Sequence, residues 1–410
     1  MPRSESQPTG PSMRHAVSRR SLLKAAGAGA GAFFIAHATG DYGPLRRAAA
    51  AGTLPAAPRG GRVIAEHELL NDDPFDPDAV IAPGGWFPSV YGAGDQLGSL
   101  NEVTPRKTLA ALQLIKNNPQ RPPRTYNLGE LMEEGMPAFG TRQYVQVRVG
   151  GDPASIPFGD NQIVGMEETI DTTYQIATQV DGLPHIGVKH HYYNGLTTEE
   201  MTAGNPSGVN FLGQEHVNPF ITRGVLLDVL AVKVAQGASA ALGDPVDGKP
   251  ILANSYRITL EDLEAAMAHG TIKAIEPGDV VMIRTGWTHL FDGSDPVKKA
   301  RYLATEPGIY LREARWLAHF RPAIVASDTW ALEVLPAPEP WTATQFFPVH
   351  QELITHHGIR IGEAFRAEEL SADKIYEFVF FNAPQRAKGA TASNNAPGAL
   401  GQRLTGPPLG

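Results

Sequence analysis

Gly224-Val225-Leu226-Leu227-Asp228-Val229-Leu230 is a near-continuous apolar run, and its reading decides the fold. A segment that is apolar at successive positions, not alternate ones, suits a strand buried on both faces. Asp279-Val280-Val281-Met282-Ile283-Arg284-Thr285 is a second such run, and Ala323-Ile324-Val325-Ala326, ending at Ser327-Asp328, is a third. Helical patterns occupy 260–269, 309–319 and a stretch around 350–357, and Glu377-Phe378-Val379-Phe380-Phe381 reads as a last strand. Strands alternating with helices predict an α/β or mixed α+β domain. Upstream, Tyr144–Val149 alternates like a half-buried strand. Thr104-Pro105 reads as an N-cap with proline at the first helical position, opening a helix that ends near Asn117-Asn118. Residues 85–400 contain no internal repeat and no charged linker, so one domain is expected there, followed by a tail at 401–410.

Composition narrows the function classes. The chain has 410 residues, 42% of them hydrophobic, enough for a substantial core. A net charge of -8 leaves no basic stripe for nucleic acid. The absence of cysteine excludes disulfides, thiolate metal ligands and a cysteine nucleophile.

The N-terminal segment points to export. Ser18-Arg19-Arg20-Ser21-Leu22-Leu23-Lys24 is a twin-arginine sequence, followed by an apolar stretch from Ala25 to Ala38 that is too short for a bilayer span. Ala36-His37-Ala38 fits a signal-peptidase site. Residues 1–38 are therefore expected to be a Tat-type signal, leaving a periplasmic or secreted protein with no stable membrane span. A second possible cleavage point lies in the alanine run 48–51, and a buried helix or membrane anchor is the alternative reading. Residues 39–84, rich in Ala, Pro and Gly, read as linker and arm.

Two constellations could carry chemistry. The first runs from Gln175 through Thr178-Gln179-Val180-Asp181-Gly182-Leu183-Pro184-His185. Gly182 and Pro184 argue for a loop leaving a strand, where a carboxylate and an imidazole could bind a divalent ion or move a proton. The second pairs His350, near a helix start, with Glu363, at the end of the short strand after Gly358. Groups from adjacent elements can converge on one ion with mixed nitrogen and oxygen ligands. The bland readings are a turn aspartate beside a surface histidine, and a surface helix rich in His and Glu. Tyr192, Tyr193 and Trp287 are candidates to line an apolar pocket, with core packing the stronger alternative because aromatics mostly serve as buried mass. Arg223 and Asp228 read as a structural polar pair, His190 and His191 as loop residues, and Asp328 and Glu333 as candidates for substrate contact.

In order, the segments around 178–195, 221–229, 278–287, 307–336, 348–363 and 377–391 resemble the cyclase family that includes bacterial kynurenine formamidases and isatin hydrolase. Gly94-Asp95-Gln96-Leu97-Gly98-Ser99-Leu100-Asn101 resembles the entry segment of its longer members. The family's first motif, His-x-Gly-Thr-His-x-Asp-x-Pro-x-His, places Gln175 and Gln179 where two histidines stand, Ala177 at the glycine, Asp181 at the aspartate and His185 at the last histidine. The resemblance implies a swivelling β/β/α fold, a mixed sheet with flanking helices and a homo-oligomer. It also implies metal ligands at Asp181, His350 and Glu363, and a catalytic acid/base at His185. Replacement of two imidazoles by amides puts a two-zinc arrangement in doubt and favours one Zn²⁺ or Mn²⁺, with help from Gln179. The function so implied is metal-dependent hydrolysis of a C–N bond in a small cyclic or aryl-linked amide or ester. A metal-free periplasmic binding or scaffold protein, a lactone hydrolase and an isomerase are the alternatives.

Overall fold

The computed structural model describes residues 71–152 and 157–403, all within one unit, Pro55–Gly410. The signal segment, most of the expected linker and residues 404–410 of the tail lie outside the described residues. Strands run in chain order β1 Arg124–Asn127, β2 Tyr144–Gly150, β3 Met166–Thr172, β4 Gln179–Asp181, β5 Phe220–Leu227, β6 Val280–Ile283, β7 Ile324–Ser327, β8 Arg360–Glu363, β9 Glu377–Asn382, β10 Ala392–Ser393 and β11 Gly398–Gly401. Nine of them form one sheet in the order β1-β11-β9-β5-β6-β7-β8-β4-β10.

The centre of that sheet is parallel. β5 pairs with β6, β6 with β7 and β7 with β8, all in parallel, while β9 joins β5 and β4 joins β8 antiparallel. Parallel neighbours need crossovers. Helices Val229–Gln236 and Leu260–His269 bridge β5 to β6, and Pro296–Ala304 and Leu311–His319 bridge β6 to β7. The apolar runs sit where both faces are covered: Val225, Val281, Val325 and Ile361 pack into one core, and Leu226, Val280, Met282, Ile324 and Ala326 into another. The mixed α/β class expected from the sequence is the observed one.

Several local expectations need correction. The apolar run at 224–230 is a strand only to Leu227. Asp228 caps the next helix by accepting from the Ala231 amide at 3.0 Å, so Val229 and Leu230 are helical. Apolar content alone does not separate a buried strand end from a buried helix start. Arg223 and Asp228 do not pair with each other. Arg223 binds Asp279 at 2.6 Å, and Asp228 binds Arg284 at 3.0 Å. The helix after Thr104 stops at Leu112. β2 is exposed along most of its length, paired only with β3 in a two-stranded ribbon outside the main sheet. Residues 71–84, expected as arm, carry a short helix at Pro77–Ile81. They are docked by Arg315, which donates to the Asn71 carbonyl at 2.8 Å, and by the Arg257–Asp72 pair at 2.7 Å.

Candidate metal centre

The site lies where the parallel strands give way to the antiparallel edge. Gln179 pairs with Glu363 and Asp181 with Ile361 across β4 and β8. Side chains alternate along a strand, so Gln179, Asp181 and Glu363 share one face while Val180 turns to the second core. His350 arrives from the helical segment that begins after Phe347. All four residues are buried.

One ligand atom each from Asp181, His350 and Glu363 lies within 4.8 Å of the other two. His350 Nε2 is 3.2 Å from Glu363 Oε1 and 3.8 Å from Asp181 Oδ2. Donors on a single ion at ordinary bond lengths would sit roughly 3–3.5 Å apart, so small side-chain adjustments bring this set onto one cation. The orphaned acceptors are the fit test. Both Asp181 carboxylate oxygens are buried without a hydrogen-bond partner, and so is Gln179 Oε1, because the Gln179 amide nitrogen donates to Glu363 Oε2. A buried carboxylate with no donor is costly. A hard divalent cation would satisfy all three atoms at once.

The surroundings fix the imidazole. His350 Nδ1 meets Glu333 Oε1 at 2.6 Å, and the Glu333 carboxylate also accepts the His350 backbone N–H at 3.2 Å. A carboxylate on Nδ1 sets the tautomer that presents Nε2 as ligand. Burial disfavours the charged ring, but Glu333 and Glu363 outweigh it and push the His350 pKa up to about 10. Without metal, a proton takes the cation's place.

His185 stands beside this group with Nε2 3.6 Å from Asp181 Oδ2. Burial lowers its pKa against the pull of Asp181, which keeps the ring neutral near pH 7. Gln175 does not join the ligand cluster. Its amide nitrogen lies 3.3 Å from His185 Nδ1 and donates to Thr391 Oγ1 at 2.7 Å.

A small pocket, open at its mouth, reaches Gln179 and Glu363. Phe139, Arg142, Gln175, Phe291, Tyr302 and Trp330 contribute to its wall. Tyr192, Tyr193 and Trp287 do not. Trp287 and Tyr193 are fully buried in core clusters, Tyr192 packs against the main one, and the Tyr193 hydroxyl donates to Asp95 and is hydrogen-bonded to the Ser89 hydroxyl. Asp328, expected near substrate, instead accepts from Thr285 and Gly286. Glu333 holds His350. Phe139 and Tyr302 lie outside every motif, and no spacing ties them to the site.

Fold and site together define a mixed α/β protein with a buried cluster of nitrogen and oxygen donors, a candidate ligand set, at the border of its parallel strands. Residues 118–334, more than half of the chain, match the family model described as putative cyclase, and the chain belongs to the cyclase family. The crystal structure of a novel cyclase is 31% identical, covering 75% of this chain and 97% of its own, with a TM-score of 0.63. Isatin hydrolase A from Labrenzia aggregata is 14% identical over 68% of this chain and 93% of its own, with a TM-score of 0.46. A predicted metal-dependent hydrolase from Bacillus stearothermophilus is 18% identical over 68% of this chain and 98% of its own, with a TM-score of 0.40. No curated protein matches the chain.

Proposed function

We propose that this protein is a metal-dependent hydrolase that cleaves a C–N bond in a small aryl-linked or cyclic amide, or the matching ester. Asp181, His350 and Glu363 would hold one Zn²⁺ or Mn²⁺, with Gln179 Oε1 as a further oxygen. The observation that carries this reading is the Asp181 carboxylate, buried beside His350 and Glu363 with neither oxygen hydrogen-bonded. A bound divalent ion supplies a water of lowered pKa and polarises the scissile carbonyl.

The chain's own groups supply the rest. Glu333 keeps Nε2 of His350 directed at the cluster. His185, neutral through burial, is the proton carrier. With the Gln175 amide nitrogen on Nδ1, the single hydrogen of the neutral ring sits on Nε2, the nitrogen facing Asp181, and is held there. A half-turn of that amide presents Oε1 and so favours the tautomer with the hydrogen on Nδ1, whose free Nε2 can accept a water proton and, as imidazolium, return it to the leaving nitrogen or oxygen. The Thr391 hydroxyl can serve either amide orientation, since it both donates and accepts.

Metal quantification of the purified protein, joined to a screen of aryl formamides, lactones and cyclic imides with and without chelator, tests this proposal. The expected result is one equivalent of metal, chelator-sensitive turnover and a product heavier by one water. Full turnover in metal-free protein ends the reading, and a product of unchanged mass makes the chemistry isomerisation. His185→Ala should cut turnover by at least about a hundredfold while retaining metal; loss of metal would place His185 among the ligands.

The twin-arginine segment supports export by the Tat route to the periplasm or beyond. Among the described residues no helix is long and apolar enough to cross a membrane. The exposed apolar side chains of the β2–β3 ribbon, Val147, Val149, Met166 and Ile170, support assembly as a homo-oligomer.

A further inference from the structure

A cation in the pocket wall lacks a counter-ion among the described residues. The ribbon β2–β3 leaves the pocket through a tight turn, in which the Arg142 backbone N–H donates to the Phe139 carbonyl at 3.2 Å. Phe139 anchors one side of that turn by stacking on Trp330 at 4.7 Å with an interplanar angle of 18°. The ribbon anchors the other side: the Thr173 backbone N–H donates to the Gln143 carbonyl at 3.1 Å, and the Gln143 amide nitrogen donates to Asp171 at 2.8 Å. Arg142, between these two fixings, is partly buried and contributes to the pocket wall. Its guanidinium makes no hydrogen bond and no ion pair with any described residue.

Other partly buried arginines of this chain are paired: Arg223 with Asp279, Arg257 with Asp72 and Glu313, and Arg284 with Asp228 and Glu368. Glu363, the acidic residue of the same pocket wall, is engaged by Gln179 and His350. Arg142 therefore clamps nothing. Burial is the main influence on Asp181 and His185, raising the pKa of the first and lowering that of the second, and the Arg142 charge draws both down. Its guanidinium thus lies within electrostatic reach of the ligand cluster. A guanidinium is a planar fork that matches a carboxylate through two parallel hydrogen bonds. One positive charge neutralises one negative charge, whereas a doubly charged anion would keep a charge facing Asp181 and Glu363. The pocket is small, so a ligand with one group at the cluster extends the rest of its length along the wall that carries Arg142.

We propose that Arg142 binds a carboxylate that the substrate carries away from the bond to be cut, so that the protein takes singly charged anionic amides or esters in preference to neutral ones. The proposal rests on the hydrolase reading of the same site and deepens it by naming the substrate class. Arg142→Gln removes a charge that no described protein group uses, so the variant keeps its fold and its metal.

The test is equilibrium binding of three cyclic amides to the full-length, metal-stripped protein, followed by ligand-observed NMR at low ionic strength. The probes are pyroglutamate, its neutral isostere pyroglutamamide, and the lactam that carries an aminomethyl group in place of the carboxylate. Stripping the metal prevents a carboxylate from binding to the ion instead. Wild-type protein should prefer pyroglutamate to pyroglutamamide by about fivefold, the yield of one partly exposed ion pair, and should bind the aminomethyl lactam most weakly. Arg142→Gln should abolish the preference for pyroglutamate, and Arg142→Glu should turn it toward the aminomethyl lactam. The thermal midpoint and the metal content of Arg142→Gln before stripping should match wild type. No preference in wild type, a preference that survives in Arg142→Gln, no reversal in Arg142→Glu, or binding of none of the three overturns the assignment. Because binding is read without metal, its outcome is separate from that of the hydrolase reading, which chelator-sensitive turnover decides.

Discussion

Two clusters of carboxylates and imidazoles draw on one short segment of chain, 350–363, to which the first adds Asp181 from β4. Asp181, His350 and Glu363 form the first, and Glu352, His356 and His357 the second, each close enough for a metal by distance alone. They differ in how their oxygens are satisfied. Glu352 is paired with Arg315 at 3.3 Å and meets His356 Nδ1 at 2.9 Å and His357 Nε2 at 3.2 Å. The two rings stack at 4.0 Å, and Trp86 covers His356 at 4.3 Å, nearly parallel. In the first cluster the Asp181 oxygens accept no hydrogen bond; the nearest donors, on His185 and His350, stand at 3.6 and 3.8 Å. Residue type and proximity do not distinguish a structural knot from a candidate ligand set; unsatisfied acceptors set the two apart.

The largest contrast should come from removing one carboxylate in each cluster. Asp181→Ala is expected to lose the metal and to lower turnover by at least about a thousandfold, since the activated water goes with the ion. The metal-stripped variant should nevertheless be no less stable than the metal-stripped wild type, because the buried carboxylate removed makes no hydrogen bond. Glu352→Ala should behave in the opposite way. It removes the buried carboxylate that Arg315, His356 and His357 share and should cost up to about 3–5 kcal/mol in denaturant unfolding, with metal stoichiometry unchanged. If Glu352→Ala instead loses metal while keeping its stability, the contrast between the clusters is broken.

A smaller effect tests the support behind His350. Glu333→Gln keeps the shape and a hydrogen-bonding group but removes the charge that orients the imidazole. Metal affinity should fall by about 10–100-fold, with the fold intact. Competition with a fluorescent chelator measures it, and an unchanged affinity would show that the Glu333–His350 contact is structural only.

Local chemistry is the part of this protein that its sequence makes legible. Central strands buried on both faces announce themselves as apolar runs, and Gly182 with Pro184 marks the loop after Asp181. Val229 and Leu230 pass for strand because a buried helix start has the same composition. The exposure of β2 is invisible, since Tyr144–Val149 alternates whether or not anything covers it. Arg223 and Asp228 find other partners because charge pairing across a sheet depends on register, which the sequence does not display. The candidate ligand positions come from motif resemblance, whereas the pocket wall comes from 139, 291, 302 and 330, distant segments joined only by the fold. Backbone strain is equally hidden.

That strain separates the two clusters once more, and supplies the smallest test. Around the first, Ala177, Leu332, Phe347 and Ala364 all adopt positive φ, a region non-glycine residues rarely occupy. At the second, the one left-handed position is filled by a glycine, Gly358, whose absent Cβ also lets the Tyr193 ring approach. Strained residues that persist around a site indicate a backbone over-determined by its neighbours. Ala177 is the simplest to relax: it has φ 53°, it is buried, and it lies between Gln175, which holds His185, and Gln179, which holds Glu363. Ala177→Gly should stabilise the native backbone by up to about 1 kcal/mol, offset by the added freedom of the unfolded chain. If the bend at 177 serves to aim both glutamines, the gain in thermal midpoint should come with a severalfold loss of metal affinity or turnover. A variant more stable and equally active would show that the strain at 177 does nothing for the site.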